Sequence, residues 1–239
     1  MPNAWPDRDN SAFLGWTAEQ AGFRETAARF AHEYLAPRYK TTEAAKAIPM
    51  ETRRRMGELG LIGVEFPERF GGLGTDHVSS GIVLEAIAEG DFNVGYIPLL
   101  ASLCGAIVAR HAAPEIAADI LPRVASGAST IALALTEPSG GSDAAALRLK
   151  AARDGDLYVL NGEKTSISMA EQADLAVVFA RTGTTEERAR GITAFLVPMD
   201  SAGISRSHFS DLGQHAVGRG SIFFDDVRVP ATHQIGRAH

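Results

Sequence analysis

The chain has 239 residues, with 23 Lys and Arg against 29 Asp and Glu for a formal charge of −6, and it is 45% hydrophobic and 22% charged. This is the composition of a soluble globular protein of one large or two ordinary domains, and an acidic balance with no long basic block excludes nucleic acid and anionic membranes as expected partners. The polar opening Met1–Asp9 has no signal-peptide core, and no later segment offers the ~18 uninterrupted apolar residues of a membrane span, so a cytoplasmic location is expected.

Helical periodicity dominates to about Gly127. Thr17 is placed as an N-cap for a helix predicted to run to Tyr39, with Ala21, Phe23, Ala27, Phe30, Ala31 and Tyr34 near one face. A short basic helix follows over Met50–Leu59. Gly72-x-Gly74 lacks the third glycine of a dinucleotide loop and follows no strand, so it is not read as one. A helix over Asp76–Ala88 is expected to turn Val78, Ile82, Leu84 and Ile87 inward. Asp91 then suits the N-cap of a near-wholly apolar helix whose stripe of Ile97, Leu100, Cys104, Ile107, Val108 and His111 makes it central. The single cysteine, Cys104, belongs to that stripe and reads as core packing. Pro114 opens a further helix, where its missing N–H does no harm.

From Thr130 the period shortens. Strands are predicted over Thr130–Leu135, Leu147–Ala152, Leu157–Leu160, Leu175–Ala180, Ile192–Val197 and Ser221–Phe224, with the charged segment Gly183–Arg190 as an exposed loop. Several short strands at this spacing suggest a β-sandwich or open barrel. The expected architecture is therefore α+β: an all-helical domain over 1–127 followed by a β-domain over 128–239.

Two segments carry the functional signal. In Leu135-Thr136-Glu137-Pro138-Ser139-Gly140-Gly141-Ser142-Asp143, a buried strand ends in a Pro-Gly turn with hydroxyls and two carboxylates. Glycine lacks Cβ, so backbone there can approach a flat polar ligand closely. In Asn161-Gly162-Glu163-Lys164-Thr165-Ser166-Ile167-Ser168, the Asn-Gly pair predicts a hairpin turn between Leu157–Leu160 and an alternating polar strand. The hydroxyls of the two segments are expected to share one edge. The pair Ser142-Asp143 sits in no Gly-x-Ser-x-Gly elbow, and the seven histidines show no metal spacing, so neither a hydrolase triad nor a metal site is expected.

These two segments, with Phe66-Pro67-Glu68-Arg69-Phe70-Gly71-Gly72-Leu73-Gly74 upstream and Gly218–Pro230 then Ile235-Gly236 downstream, resemble the acyl-CoA dehydrogenase family in the order of four motifs. The resemblance implies FAD as cofactor, an acyl-CoA thioester as substrate, electron-transfer flavoprotein or a similar acceptor, and a homo-oligomer, dimer or tetramer, when the full family architecture is present. It maps Leu133, Leu135, Thr136, Gly141, Ser142, Ser166, Ile167 and Ser168 onto flavin-contacting positions, with Ser142 also near the thioester arm. Position 166 departs from the family, which commonly has a tryptophan there, so the pocket on that side is wider or filled from elsewhere. The wording of Glu163–Ala170 looks closest to members acting on cyclic or branched acyl-CoA.

Family chemistry removes an α-proton while a β-hydride passes to flavin, and it needs a carboxylate base raised in pKa by burial. In the family that glutamate usually comes from a third, helical domain, and this chain ends at His239. The resemblance therefore implies a portion of the enzyme with weak or absent FAD retention, no turnover alone, and an apolar helical face that drives association. Among the residues present, Asp91 is the candidate base beside its reading as a cap, and Glu137 is expected to brace its own turn. Two alternatives keep the fold: a non-catalytic or complementing subunit, and a flavin oxidase or monooxygenase.

Overall fold

The computed structural model describes residues 15–237. The polar opening Met1–Asp9 and the end at His239 lie outside them.

Helix α1, Ala18–Phe30, begins where the sequence places it. The Thr17 hydroxyl accepts from the Gln20 N–H at 3.2 Å, and the Gln20 side chain accepts from the Thr17 N–H at 3.1 Å, a reciprocal cap. The helix does not run evenly to Tyr39. It widens into a π-turn over Ala31–Leu35 and tightens into a 3-10 turn over Ala36–Arg38, where Pro37 brings no N–H, before α2, Tyr39–Ala45. Helix α3 spans Met50–Glu58. Helix α4, His77–Gly90, is capped by Asp76, whose Oδ1 accepts from the Ser79 N–H at 2.8 Å. Its buried face is Ser79, Ser80, Ile82, Val83, Ala86 and Ile87. Val78 is 56% exposed, against expectation, because at about 100° per residue it lies roughly 140° from Val83 at the stripe's centre.

Helix α5, Phe92–His111, packs against α4 on one side and against α6, Pro114–Ala125, on another, and it also touches the first strand. Ile97, Leu100, Cys104 and Val108 are buried as predicted, while Ile107 is half-buried and His111 exposed. By length and composition α5 is apolar enough to cross a bilayer, with mean hydropathy 1.8, although Asn93, Ser102 and Arg110 interrupt its apolar run. Its burial within the fold accounts for that composition. Pro114 occupies the first turn of α6 as expected.

The β-region is one eight-stranded sheet in the order β6-β7-β3-β2-β4-β5-β8, with β1 paired parallel to β4. The strands are β1 Ile131–Ala134, β2 Lys150–Asp154, β3 Leu157–Ile167, β4 Leu175–Arg181, β5 Ile192–Pro198, β6 Ile204–His208, β7 Gly220–Pro230 and β8 Gln234–Arg237. The hairpin turn predicted at Asn161-Gly162 is not a turn. The chain reverses at Gly155-Asp156, and β3 continues through Asn161-Gly162 as a bulge, with Gly162 at φ +138°. Across the bulge the Asn161 amide clasps Asp226, donating to its carboxylate and accepting its N–H, both at 2.9 Å. An Asn-Gly pair thus serves a strand kink as well as a hairpin. Strand β6, Ile-Ser-Arg-Ser-His, has too few apolar residues to announce itself; backbone pairing to β7 makes it a strand.

Helices and sheet meet at an apolar seam of Ile62, Tyr96, Ile97, Leu100, Val124, Ile131 and Met169. Polar ties close its margins. Arg53 donates to the Thr130 hydroxyl at 3.2 Å and lies 3.5 Å from Asp174, and Gln172 accepts from the Ile48 N–H at 2.8 Å while donating to the Ala216 carbonyl at 2.8 Å.

Candidate functional site

The exit of β1 is built on a buried ion pair. After Ala134 the chain turns through Glu137–Gly140, whose backbones exchange two hydrogen bonds of 3.1 and 2.9 Å. Glu137 does not brace that turn with its side chain, as expected from sequence. Its carboxylate points inward, accepting from the N–H groups of Arg148 at 2.6 Å and Leu149 at 2.8 Å and from Lys164 Nζ at 2.8 Å. Lys164 is fully buried and donates also to the Leu135 carbonyl at 2.9 Å. The pair therefore pins the β1 exit, the run into β2, and the middle of β3 to one point.

The electrostatics follow from this packing. Burial pushes the Glu137 carboxyl up, but the hydrogen bonds and charge it receives outweigh burial and hold it below the usual carboxylate range. Burial pulls the Lys164 ammonium down, and Glu137 only partly restores it. The surroundings thus favour the ionised glutamate, while for the lysine the glutamate works against burial to favour the charged form.

Above this pair lies the hydroxyl edge. The Thr165 N–H donates to the Thr136 carbonyl at 2.9 Å, so the β1 exit runs beside the end of β3. There β3 slips register between Lys164 and Ile167, with Ser166 at φ +59° and Met169 at φ +64°. The slip re-aims the strand: Ile167 is 2% exposed and buries its side chain in the core, while Ser168 is half-buried at the edge and Ser166 is exposed. Leu133, Leu135, Thr136 and Gly141 are half-buried, and Ser142 is exposed beside them. A Cβ on Gly141 would stand 3.2 Å from both the methyl and the hydroxyl of Thr136, so glycine there keeps Thr136 uncovered. The Thr165 hydroxyl shares a 2.9 Å hydrogen bond with Ser221 of β7, fixing the far side of the bulge.

Asp91 caps the helix that follows it. It is 2% exposed at the start of α5, and its Oδ1 accepts from the Asn93 N–H and side-chain amide, both at 2.9 Å. Burial raises its carboxyl despite those bonds. The geometry is that of an N-cap. Among the described residues no cluster of three or more His, Cys, Asp or Glu could hold a metal ion.

Two contributors escaped the sequence reading. Lys164 occupies an inward position of β3, and an inward lysine in an otherwise alternating strand was the available signal. Arg219, which donates to the Ser166 hydroxyl at 2.8 Å, gave none, because only the β3–β7 pairing brings it there.

Comparison with known proteins places this architecture. Residues 17–128 match the family model "Acyl-CoA dehydrogenase, N-terminal domain", and residues 132–227 match "Acyl-CoA dehydrogenase, middle domain". A probable acyl-CoA dehydrogenase of Bacillus subtilis is 35% identical over 92% of this chain and 58% of its own length. The mitochondrial isobutyryl-CoA dehydrogenase of Dictyostelium discoideum is 32% identical over 94% of this chain and 54% of its own. The glutaryl-CoA dehydrogenase of Mycobacterium smegmatis, solved in complex with FADH2, superposes with a TM-score of 0.84 at 29% identity, covering 93% of this chain and 56% of that one. The chain thus spans little more than half the length of the relatives it matches. With both domain models matched in order and the same helical region and sheet in the solved relatives, the chain belongs to the acyl-CoA dehydrogenase family.

Proposed function

We propose that this chain forms the helical and β portions of an FAD-dependent acyl-CoA dehydrogenase, with the isoalloxazine ring along the edge of Thr136, Gly141 and Ser168. The observation that carries this reading is the 2.9 Å hydrogen bond from the Thr165 N–H to the Thr136 carbonyl, which holds two hydroxyl-bearing segments side by side. The residues fit such a ring. Half-exposed short hydroxyls reach a polar rim without covering it, and the missing Cβ of Gly141 leaves the approach open. Bound there, FAD supplies the acceptor for the hydride that leaves the β-carbon of an acyl-CoA thioester.

The chain's own residues orient and balance charge. Thr136 and Ser168 donate O–H groups toward the polar rim, which favours an electron-rich ring. Leu133 and Leu135 offer apolar flanks, Ile167 contributes its backbone only, and exposed Ser142 is assigned to the thioester arm. Asp91 is assigned to its cap rather than to proton abstraction, since its carboxylate is already engaged by Asn93. A branched or cyclic acyl group, an electron-transferring flavoprotein as acceptor, and a homo-oligomer belong to the same proposal. The similarity to an isobutyryl-CoA dehydrogenase supports the first of these.

The test is titration of the purified chain, at verified intact mass, with excess FAD, followed by flavin absorbance, for wild type and for Thr136→Ala/Ser168→Ala. Wild type should bind and the double variant should bind at least tenfold more weakly, as loss of two ligand hydrogen bonds requires. Uptake that ignores both substitutions, or no uptake by wild type, refutes the site. Perturbation of the bound-flavin absorbance by isobutyryl-CoA or cyclohexanecarbonyl-CoA at lower concentration than by straight-chain butyryl-CoA then tests the substrate class.

A further inference from the structure

We propose that Arg219 is a positioning residue for the Ser166–Ser168 edge, holding the strained bulge in register and setting a positive charge beside the ring; this rests on the flavin reading of that edge. Ser166 occupies the left-handed backbone region at the point where β3 slips against β7. A serine is disfavoured there unless its surroundings hold it. What holds it is the 2.8 Å hydrogen bond from Arg219 Nη1 to its hydroxyl.

Arg219 is itself immobilised. Nε and Nη2 donate to the two oxygens of Asp211 at 2.9 and 2.7 Å, and the guanidinium lies 5.2 Å above the Phe209 ring. Such a planar fork has one donor face left over, and it is spent on residue 166. The anchor extends further. His215 Nε2 bonds the Asp211 carbonyl at 2.9 Å, and His215 Nδ1 bonds Glu43 of α2 at 2.8 Å, while Glu43 also accepts the N–H groups of His215 and Ala216. A run of hydrogen bonds thus leads from the helical region to the hydroxyl edge.

The resemblance puts a large indole where this chain has Ser166. A serine leaves that side open, and its hydroxyl is bonded by Arg219, whose side chain is only 38% exposed. An indole covers a ring passively. A guanidinium fixed one hydrogen bond from the edge also favours any ring state that carries added negative charge.

The experiment compares wild type with Arg219→Ala, Arg219→Lys, Ser166→Ala and Arg219→Ala/Ser166→Ala by FAD affinity, flavin reduction potential, and amide exchange of residues 165–169 without FAD. Arg219→Ala should weaken FAD about tenfold, the loss expected of one charge-assisted bond, with faster exchange and a lower potential. Ser166→Ala should weaken FAD similarly but keep more of the potential, because the charge stays. The double variant should bind no more weakly than Arg219→Ala. Arg219→Lys should restore the potential and not the exchange protection. Unchanged exchange and affinity in Arg219→Ala overturn the proposal, as does a drop in affinity with no change in exchange or potential. Wild type that takes up no FAD sinks the flavin reading separately, and amide exchange then decides alone whether Arg219 holds the bulge.

Discussion

Replacing Glu137 with glutamine probes the point on which both motif segments hang. The substitution preserves shape but removes the counter-charge of Lys164, whose side chain has no solvent exposure. An ammonium left alone there must give up its proton or remain uncompensated, and breaking a buried pair in this way costs about 3–5 kcal/mol. The glutamine amide adds to this, because its N–H2 faces one of the two backbone donors, Arg148 or Leu149, that now find acceptors. Against a typical stability of about 5–15 kcal/mol the loss should be unmistakable in urea unfolding followed by far-ultraviolet circular dichroism. Lys164→Met should cost a similar amount by stranding the carboxylate. The double variant should cost clearly less than the two single losses added, with a coupling of about 1–3 kcal/mol.

The pH dependence has a definite sign. Because the folded Glu137 carboxyl lies below its unfolded value, its contribution is fully present above about pH 4.3 and disappears as pH falls through the folded value. Because the folded Lys164 ammonium is also lowered, the unfolded chain binds more protons in the alkaline window between the two values, and stability rises with pH there. A loss under about 1 kcal/mol in Glu137→Gln, with no coupling in the double variant, would refute the idea that this pair pins the site.

Three further outcomes are expected. Cys104 is fully buried and burial pushes its thiol up to about 12, so native protein should not react with a thiol reagent at neutral pH, whereas urea-unfolded protein should react completely; rapid labelling of folded protein contradicts the packing of α5. Gly141→Val should leave the melting temperature within a few degrees of wild type but weaken FAD at least tenfold, since the added carbons enter the space before Thr136; fluorescence titration would show it, and unaltered affinity would remove Gly141 from the site. Phe92 and Leu103 are 52% and 47% exposed and lie three turns apart on one face of α5 with half-buried Tyr96 and Leu99 between them, so the chain should self-associate; Phe92→Ser/Leu103→Ser should lower the mass seen by light scattering, and an unchanged mass would place the contact elsewhere.

Local chemistry was readable from residue order alone. Thr17, Asp76, Asp91 and Pro114 announce helix starts because a cap acts within three residues of itself, and the apolar stripe of α5 announces burial because its period repeats within one helix. The family likewise follows from segments contiguous in the chain. Pairings across the sheet were not readable. Asn161-Gly162 carries the same letters in a hairpin and in a bulge, and only the position of β7 with Asp226 selects the bulge. Glu137 meets Lys164, and Arg219 meets Ser166, across 27 and 53 residues of chain, distances at which no periodicity survives. Residue order thus determined the helices, most of the strands, the caps and the family, through interactions a few residues long. The tertiary fold alone decided which charges are buried together and which way the hydroxyl edge faces, because those depend on strand register, and one slipped residue turns every side chain to the opposite face.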